Sequence, residues 1–139
     1  MIDWQSPTGL ALSRRLEGDR HAWLTTVAAS GTPYPSLIWF LRVGGEVIVY
    51  SQPETLKVRN IAARPRVSLH FDSDGNGGGV ATLTGSATID PAVAPANHSA
   101  DYLARYEDWI VDDLGMTAEG FAASYSVPIR IVLDGGRAF

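Results

Sequence analysis

Cysteine is absent from the chain, which excludes disulfide staples, thiol catalysis, iron–sulfur ligation and cysteine-based zinc sites. Lysine is nearly absent too: ten of the 11 basic residues are Arg, and the only Lys is Lys57. A net charge of −4 and a pI near 5.2 lack the basic surface of a general nucleic-acid binder. No apolar run approaches the roughly 18 residues of a membrane span. The opening stretch MIDWQSPTGLALSRRL carries an acid at Asp3, no basic start and no long apolar centre, so it does not read as a secretory peptide. The expectation is a soluble, cytoplasmic protein with neither nucleic acid nor membrane as partner. In that setting the sequon Asn97-His98-Ser99 reads as chance.

Several signature motifs are also missing. There is no GxxxxGKS/T and no GxSxG, and His21, His70 and His98 lack the spacing of a metal site, so no metal is expected. The run Gly75-Asn76-Gly77-Gly78-Gly79 precedes a strand pattern instead of opening a helix, so it reads as a hairpin connection, not a pyrophosphate cradle. Counts of Ser, His and Asp leave a hydrolytic triad open, but nothing places the three together.

What is present is a 139-residue chain, 45% hydrophobic, the size of one domain with a real core. Ser6-Pro7 reads as the cap and first position of a helix running to Gly18, with Leu10, Leu12 and Leu16 apolar. Strands are expected over 21–28, 35–43, 46–51, 66–72, 80–89 and 127–133, with turns at Ser30–Pro33 and Gly44-Gly45 and a bulge at Gly85. Val58, Ile61 and Ala62 mark a short helix over 55–63, stopped by Pro65, and residues 96–124 carry helical spacing. The fold class expected is mainly β: a six-stranded antiparallel barrel with helical insertions.

The run Leu37-Ile38-Trp39-Phe40-Leu41 is apolar at consecutive positions, so both faces of that strand need cover. A second copy of the chain would supply it, making a homodimer, and burial under the chain's own helices is the alternative.

The chemistry-bearing stretch is Tyr50 to Arg66. Four of the 11 basic residues, Lys57, Arg59, Arg64 and Arg66, fall within ten positions of an otherwise acidic chain. Lys57 and Arg59 lie in the first turns of the short helix, beside the hydroxyls of Ser51 and Thr55. Amides, hydroxyls and cations at a helix start suit an anionic phosphate. The other reading is an Arg-rich face paired with the acids after Asp101.

The stretch YSQPETLKVRNIAARPRVSLHF resembles the phosphate-binding segment of the pyridoxamine 5′-phosphate oxidase-like flavin-binding split-barrel superfamily. AWLTTVAASGTPYPSLIWF is similar to that family's opening hairpin, and Ala81-Thr82-Leu83-Thr84-Gly85 to a later strand; together these cover residues 20 to 90. The resemblance implies a homodimeric split β-barrel of Greek-key type with its cofactor site at the dimer interface. It assigns Lys57 to the cofactor phosphate, with Tyr50, Ser51, Thr55, Arg59 and Asn60 around it. Ser36, Leu37, Ile38 and Trp39 would lie along the flavin or deazaflavin ring. The C-terminal Leu133-Asp134-Gly135-Gly136-Arg137-Ala138-Phe139 lacks the Arg-x-His motif of the vitamin B6 oxidases. The chain is more similar to the branch using coenzyme F420, which implies hydride transfer from reduced F420 to a small electrophilic organic substrate. FMN-dependent oxidation or reduction, and non-catalytic binding of a flavin or deazaflavin, are the alternatives. No catalytic residue stands out; Tyr50, Tyr102, Tyr106 and His70 are the proton-donor candidates.

Overall fold

The structure is a computed structural model and describes residues 1–139. Helix α1 (Pro7–Gly18) starts as expected: Ser6 Oγ accepts from the Gly9 amide at 3.0 Å, and Pro7 occupies the first turn. Leu12 and Leu16, four apart, are fully buried, whereas Leu10 points to solvent. Seven strands follow, one more than expected: β1 (His21–Val27), β2 (Pro33–Trp39), β3 (Leu41–Val43), β4 (Glu46–Ser51), β5 (Arg66–His70), β6 (Ala81–Ile89) and β7 (Val127–Ala138). Helix α2 (Leu56–Ala63) joins β4 to β5, while α3 (Ala100–Asp108) and α4 (Ala118–Ser124) stand between β6 and β7.

Every strand pair is antiparallel, in the order β2-β1-β5-β6-β7-β4-β3. The extra strand arises because the expected strand over 35–43 breaks at Phe40. Its two halves lie at opposite ends of the order, so the sheet curls until those ends meet, forming a half-barrel. The break has a local cause. Phe40 donates its backbone N–H to the Tyr106 hydroxyl (2.9 Å), which in turn reaches the carbonyls of Phe40 (2.7 Å) and Arg20 (2.6 Å). A side chain from α3 thus takes the place of a neighbouring strand.

The register of β6 on β7 slips by one residue between Thr84 and Gly85, as the glycine leads one to expect, but the extra residue is Asp134 on β7. A Cβ on Gly85 would meet the Val132 carbonyl at 2.5 Å. Strand β7 also runs past its expected end at Leu133. Gly136 continues it because α1 presses there: a Cβ would come within 2.6 Å of Leu12 Cδ1. The bulged Asp134 pairs with Arg66 and accepts from Thr84 Oγ1 at 2.8 Å, and these contacts hold its carboxyl down to about 2. Carboxylates with depressed pKa values stabilise above the unfolded value near 3.9 and lose that contribution as pH falls through the folded one. An NMR titration should find Asp134 the lowest-titrating carboxyl beside Arg66, and Arg66→Ala should return it toward the ordinary range.

Two apolar clusters result. The larger fills the barrel and includes Leu24, Phe40, Val47, Val49, Leu69, Ile129 and Ile131. The smaller lies outside the sheet beneath α3 and α4, where Ile48 and Tyr50 of β4 meet Tyr102, Tyr106, Ile110 and Phe121. β4 is therefore the strand covered on both faces. In the Leu37–Leu41 run, Trp39 and Leu41 pack against this second cluster and Phe40 is inside the barrel, so the chain's own helices cover much of it. Leu37 stays 54% exposed.

Two arginines fasten α3 to the turn between α1 and β1. Arg20 lies 3.7 Å over the Trp109 ring and pairs with Asp108, and Arg105 donates to the Glu17 carbonyl at 3.0 Å. Asp101, Glu107, Asp112 and Asp113 remain exposed.

Candidate functional site

The site is built where β4 hands over to α2. The strand ends at Ser51, buried, whose hydroxyl lies 3.1 Å from Thr55 Oγ1 and donates to the Gln52 carbonyl at 2.9 Å. Thr55 caps α2 by accepting from the Val58 amide at 3.4 Å. The connection is tight enough to force Glu54 to φ 63°, the only non-glycine residue with positive φ. The amides of Leu56 and Lys57, first in the helix, have no acceptor within it.

Lys57 faces a cavity of about 260 Å³. Its other walls are apolar or aromatic: Leu37, Ile38 and Trp39 from β2, Tyr50 from β4, Tyr102 from α3, and Leu114, Phe121 and Tyr125. Trp39 is a fixed wall, stacked on Tyr106 (5.0 Å) and Phe121 (5.7 Å) and tilted against Trp109. Leu114 reaches the cavity because α3 ends in a wide turn over Trp109–Asp113, where the Leu114 amide bonds back to the Trp109 carbonyl at 3.0 Å.

The ammonium is alone. None of the seven ion pairs includes Lys57, and half-burial lowers its pKa from the ordinary lysine value. The other basic residues of the cluster are occupied, though not by the acidic segment Asp101–Asp113. Arg59 braces the loop by donating to the Glu54 carbonyl, Arg64 donates to the Val27 carbonyl at 2.6 Å, and Arg66 holds Asp134.

Five of the ten expected site residues thus share one cavity: Lys57, Tyr50, Leu37, Ile38 and Trp39. Ser51 and Thr55 sit at its α2 end, bonded to each other. Ser36 and Arg59 lie outside the lining, and Asn60 is buried with its amide donating to Thr26 Oγ1 at 3.0 Å, a brace between α2 and β1. Among the proton-donor candidates, Tyr106 is spent on the Phe40 break and Tyr50 donates to the Ala94 carbonyl at 2.6 Å. His70 stacks on Trp23 away from the cavity, which leaves Tyr102 in the wall.

The helical spacing over 96–124 does not single out Leu114, Phe121 and Tyr125 as cavity residues. A signal was available: Tyr102, Tyr106 and Trp109 fall on one helix face, and with Phe121 and Tyr125 they concentrate aromatic rings in a short segment.

Comparison with known proteins agrees with this architecture. A conserved hypothetical protein from Mycobacterium tuberculosis superposes with a TM-score of 0.70 at 21% identity, over 96% of this chain and 83% of that one. An F420 reductase gives 0.65 at 20% identity, over 94% and 96%. A FAD-binding protein from Mesorhizobium loti gives 0.65 at 22% identity, over 93% and 91%. Among curated proteins no sequence matches the chain. Residues 11–132, nearly the whole chain, match the pyridoxamine 5′-phosphate oxidase family model, and the chain belongs to that family.

Proposed function

We propose that the chain is an oxidoreductase that holds reduced coenzyme F420, with the deazaflavin ring in the aromatic cavity and the phosphate at Lys57, and reduces a small electrophilic organic substrate. One observation carries this reading: the chain's only side-chain ammonium is half-buried, has no partner, and borders a cavity otherwise walled by apolar and aromatic side chains. A desolvated cation there calls for an anion, and the flat walls call for a ring. The likeness to an F420 reductase supports the choice of cofactor.

The residues fit such a group. Lys57, the free amides at the start of α2 and the Thr55 hydroxyl suit a phosphate. A cavity of about 260 Å³ has room for a ring system, not a whole cofactor, so the remainder lies along the rim. When bound, reduced F420 supplies a hydride from C5 to the acceptor, and the accompanying proton comes from solvent. The chain's part is to orient: Trp39, Phe121 and Tyr50 set the plane of the ring and exclude water from one side of it.

FMN is the second reading, and the committed arginines favour it. F420 carries a phospholactyl-polyglutamate tail that suits a long cationic groove, whereas Arg64 and Arg66 are already engaged and a lone Lys57 is enough for one phosphate. The chain also acts as a homodimer in this proposal, because Leu37 on the edge strand β2 lines the cavity yet is exposed, and a second copy would cover it.

The test is a fluorescence titration of the purified protein with F420 and with FMN, with the mass in solution measured in the same samples by sedimentation. Saturable binding of F420 by a two-chain species is expected. Binding of FMN alone selects the second reading, binding without turnover across a broad set of acceptors selects a carrier, and binding of neither sinks both cofactor assignments.

A further inference from the structure

Tyr102 stands apart from Tyr50 and Tyr106, the other buried tyrosines of the second cluster. It is 1% exposed, and three rings clamp it: Tyr50 edge-on at 4.8 Å, Tyr106 at 4.8 Å and Phe121 stacked at 6.1 Å. The hydroxyls of Tyr50 and Tyr106 both donate to backbone carbonyls. The Tyr102 hydroxyl bonds to nothing in the chain, while its backbone amide donates to Ser99 Oγ. Buried phenol hydroxyls ordinarily find a partner. This one is not sealed in the core either, since the one sealed and unpartnered side-chain polar atom is Arg20 Nε. The hydroxyl therefore meets open space, and the open space that Tyr102 borders is the Lys57 cavity.

We propose that the Tyr102 hydroxyl is the hydrogen-bond donor that recognises a carbonyl oxygen of a planar heteroaromatic ring bound in the Lys57 cavity. This rests on the reading of the cavity as a flavin or deazaflavin site and assigns the group that reads the ring, as Lys57 reads the phosphate. Burial, the largest influence on this phenol, raises its pKa and keeps it protonated, so it donates across the accessible pH range. A neutral donor on a clamped ring suits an uncharged acceptor oxygen, whereas an ammonium suits an anion, and a ligand bearing both is held at two distinct points. Tyr102 is thus a binding and positioning residue for the ring.

The experiment compares wild type, Tyr102→Phe and Lys57→Ala in titrations with F420, FMN and riboflavin, which has the ring without the phosphate. Tyr102→Phe should raise the Kd of each of the three that the wild type binds, F420 included, by the same factor, about 2- to 13-fold for one neutral hydrogen bond. Its melting temperature should stay at the wild-type value, because no internal bond is lost. Lys57→Ala should weaken FMN and leave riboflavin unchanged. Equal affinities of Tyr102→Phe and wild type, a loss confined to FMN, or a lowered melting temperature would each overturn the assignment while leaving the flavin reading intact. Failure of the wild type to bind any of the three overturns both.

Discussion

Replacing Lys57 with alanine is expected to weaken binding of the phosphate-bearing ligand by about 10- to 160-fold, the range for loss of a hydrogen bond to a charged group. The fold should be untouched. Lys57 has no ion-pair partner to lose, and removing a half-desolvated charge relieves a cost, so the melting temperature should hold or rise slightly. The pH dependence has a definite sign. Burial lowers the Lys57 pKa, so in the free protein the ammonium deprotonates below the ordinary lysine value of 10.5. Anion affinity should therefore decline with rising pH earlier than it would for an exposed lysine, and a bound anion should pull the pKa back up. Titrations at several pH values check this; an affinity that stays flat up to pH 10.5 would remove Lys57 from the phosphate site. Lys57→Arg is not a conservative control, because a planar fork does not replace a compact ammonium.

Tyr106→Phe is expected to destabilise the chain by about 2–4 kcal/mol, although it removes a single oxygen atom. That oxygen accepts from the Phe40 amide at 2.9 Å and from Arg105 Nε at 3.1 Å, and lies within 2.7 Å of the carbonyls of Phe40 and Arg20. Phenylalanine would leave the Phe40 amide buried without a partner, which costs about 1–3 kcal/mol by itself, and would strip the two carbonyls and the guanidinium. For a chain of this size the expected fall in melting temperature is on the order of 5–15 °C, measured by circular dichroism. Tyr102→Phe, the same chemical change four residues away, should leave stability alone. A Tyr106→Phe variant as stable as wild type would mean that something else breaks the strand at Phe40.

The contrast between these tyrosines shows what a sequence discloses and what it hides. Local rules place α1 from Ser6-Pro7, the hairpin from Gly44-Gly45 and α2 from Val58, Ile61 and Ala62 with the stop at Pro65, because each signal lies within a few residues of its effect. The break at Phe40 depends on a hydroxyl 66 positions later, and no periodicity within Leu37–Leu41 announces it. The same run could not tell a partner subunit from the chain's own helices, since both present apolar cover. The expected strand over 127–133 stops short of Gly136 because the close approach of Leu12 is invisible until α1 is folded. The cavity is legible at Lys57 and along β2. Its far wall is not, because an aromatic residue lining a cavity has the same helical spacing as one filling a core.

The seam at Phe40 has a mechanical consequence. Trp39 borders the Lys57 cavity and Phe40 lies in the barrel interior, so one peptide bond separates the cavity from the line along which the sheet closes. A molecule resting on Trp39 rests on the clasp. A ligand bound there as proposed would have to leave before the barrel opened at this seam, so occupancy and closure would report one equilibrium. At a hundredfold excess over Kd, the bound molecule would hold the seam shut by about 2.7 kcal/mol more than the chain does alone.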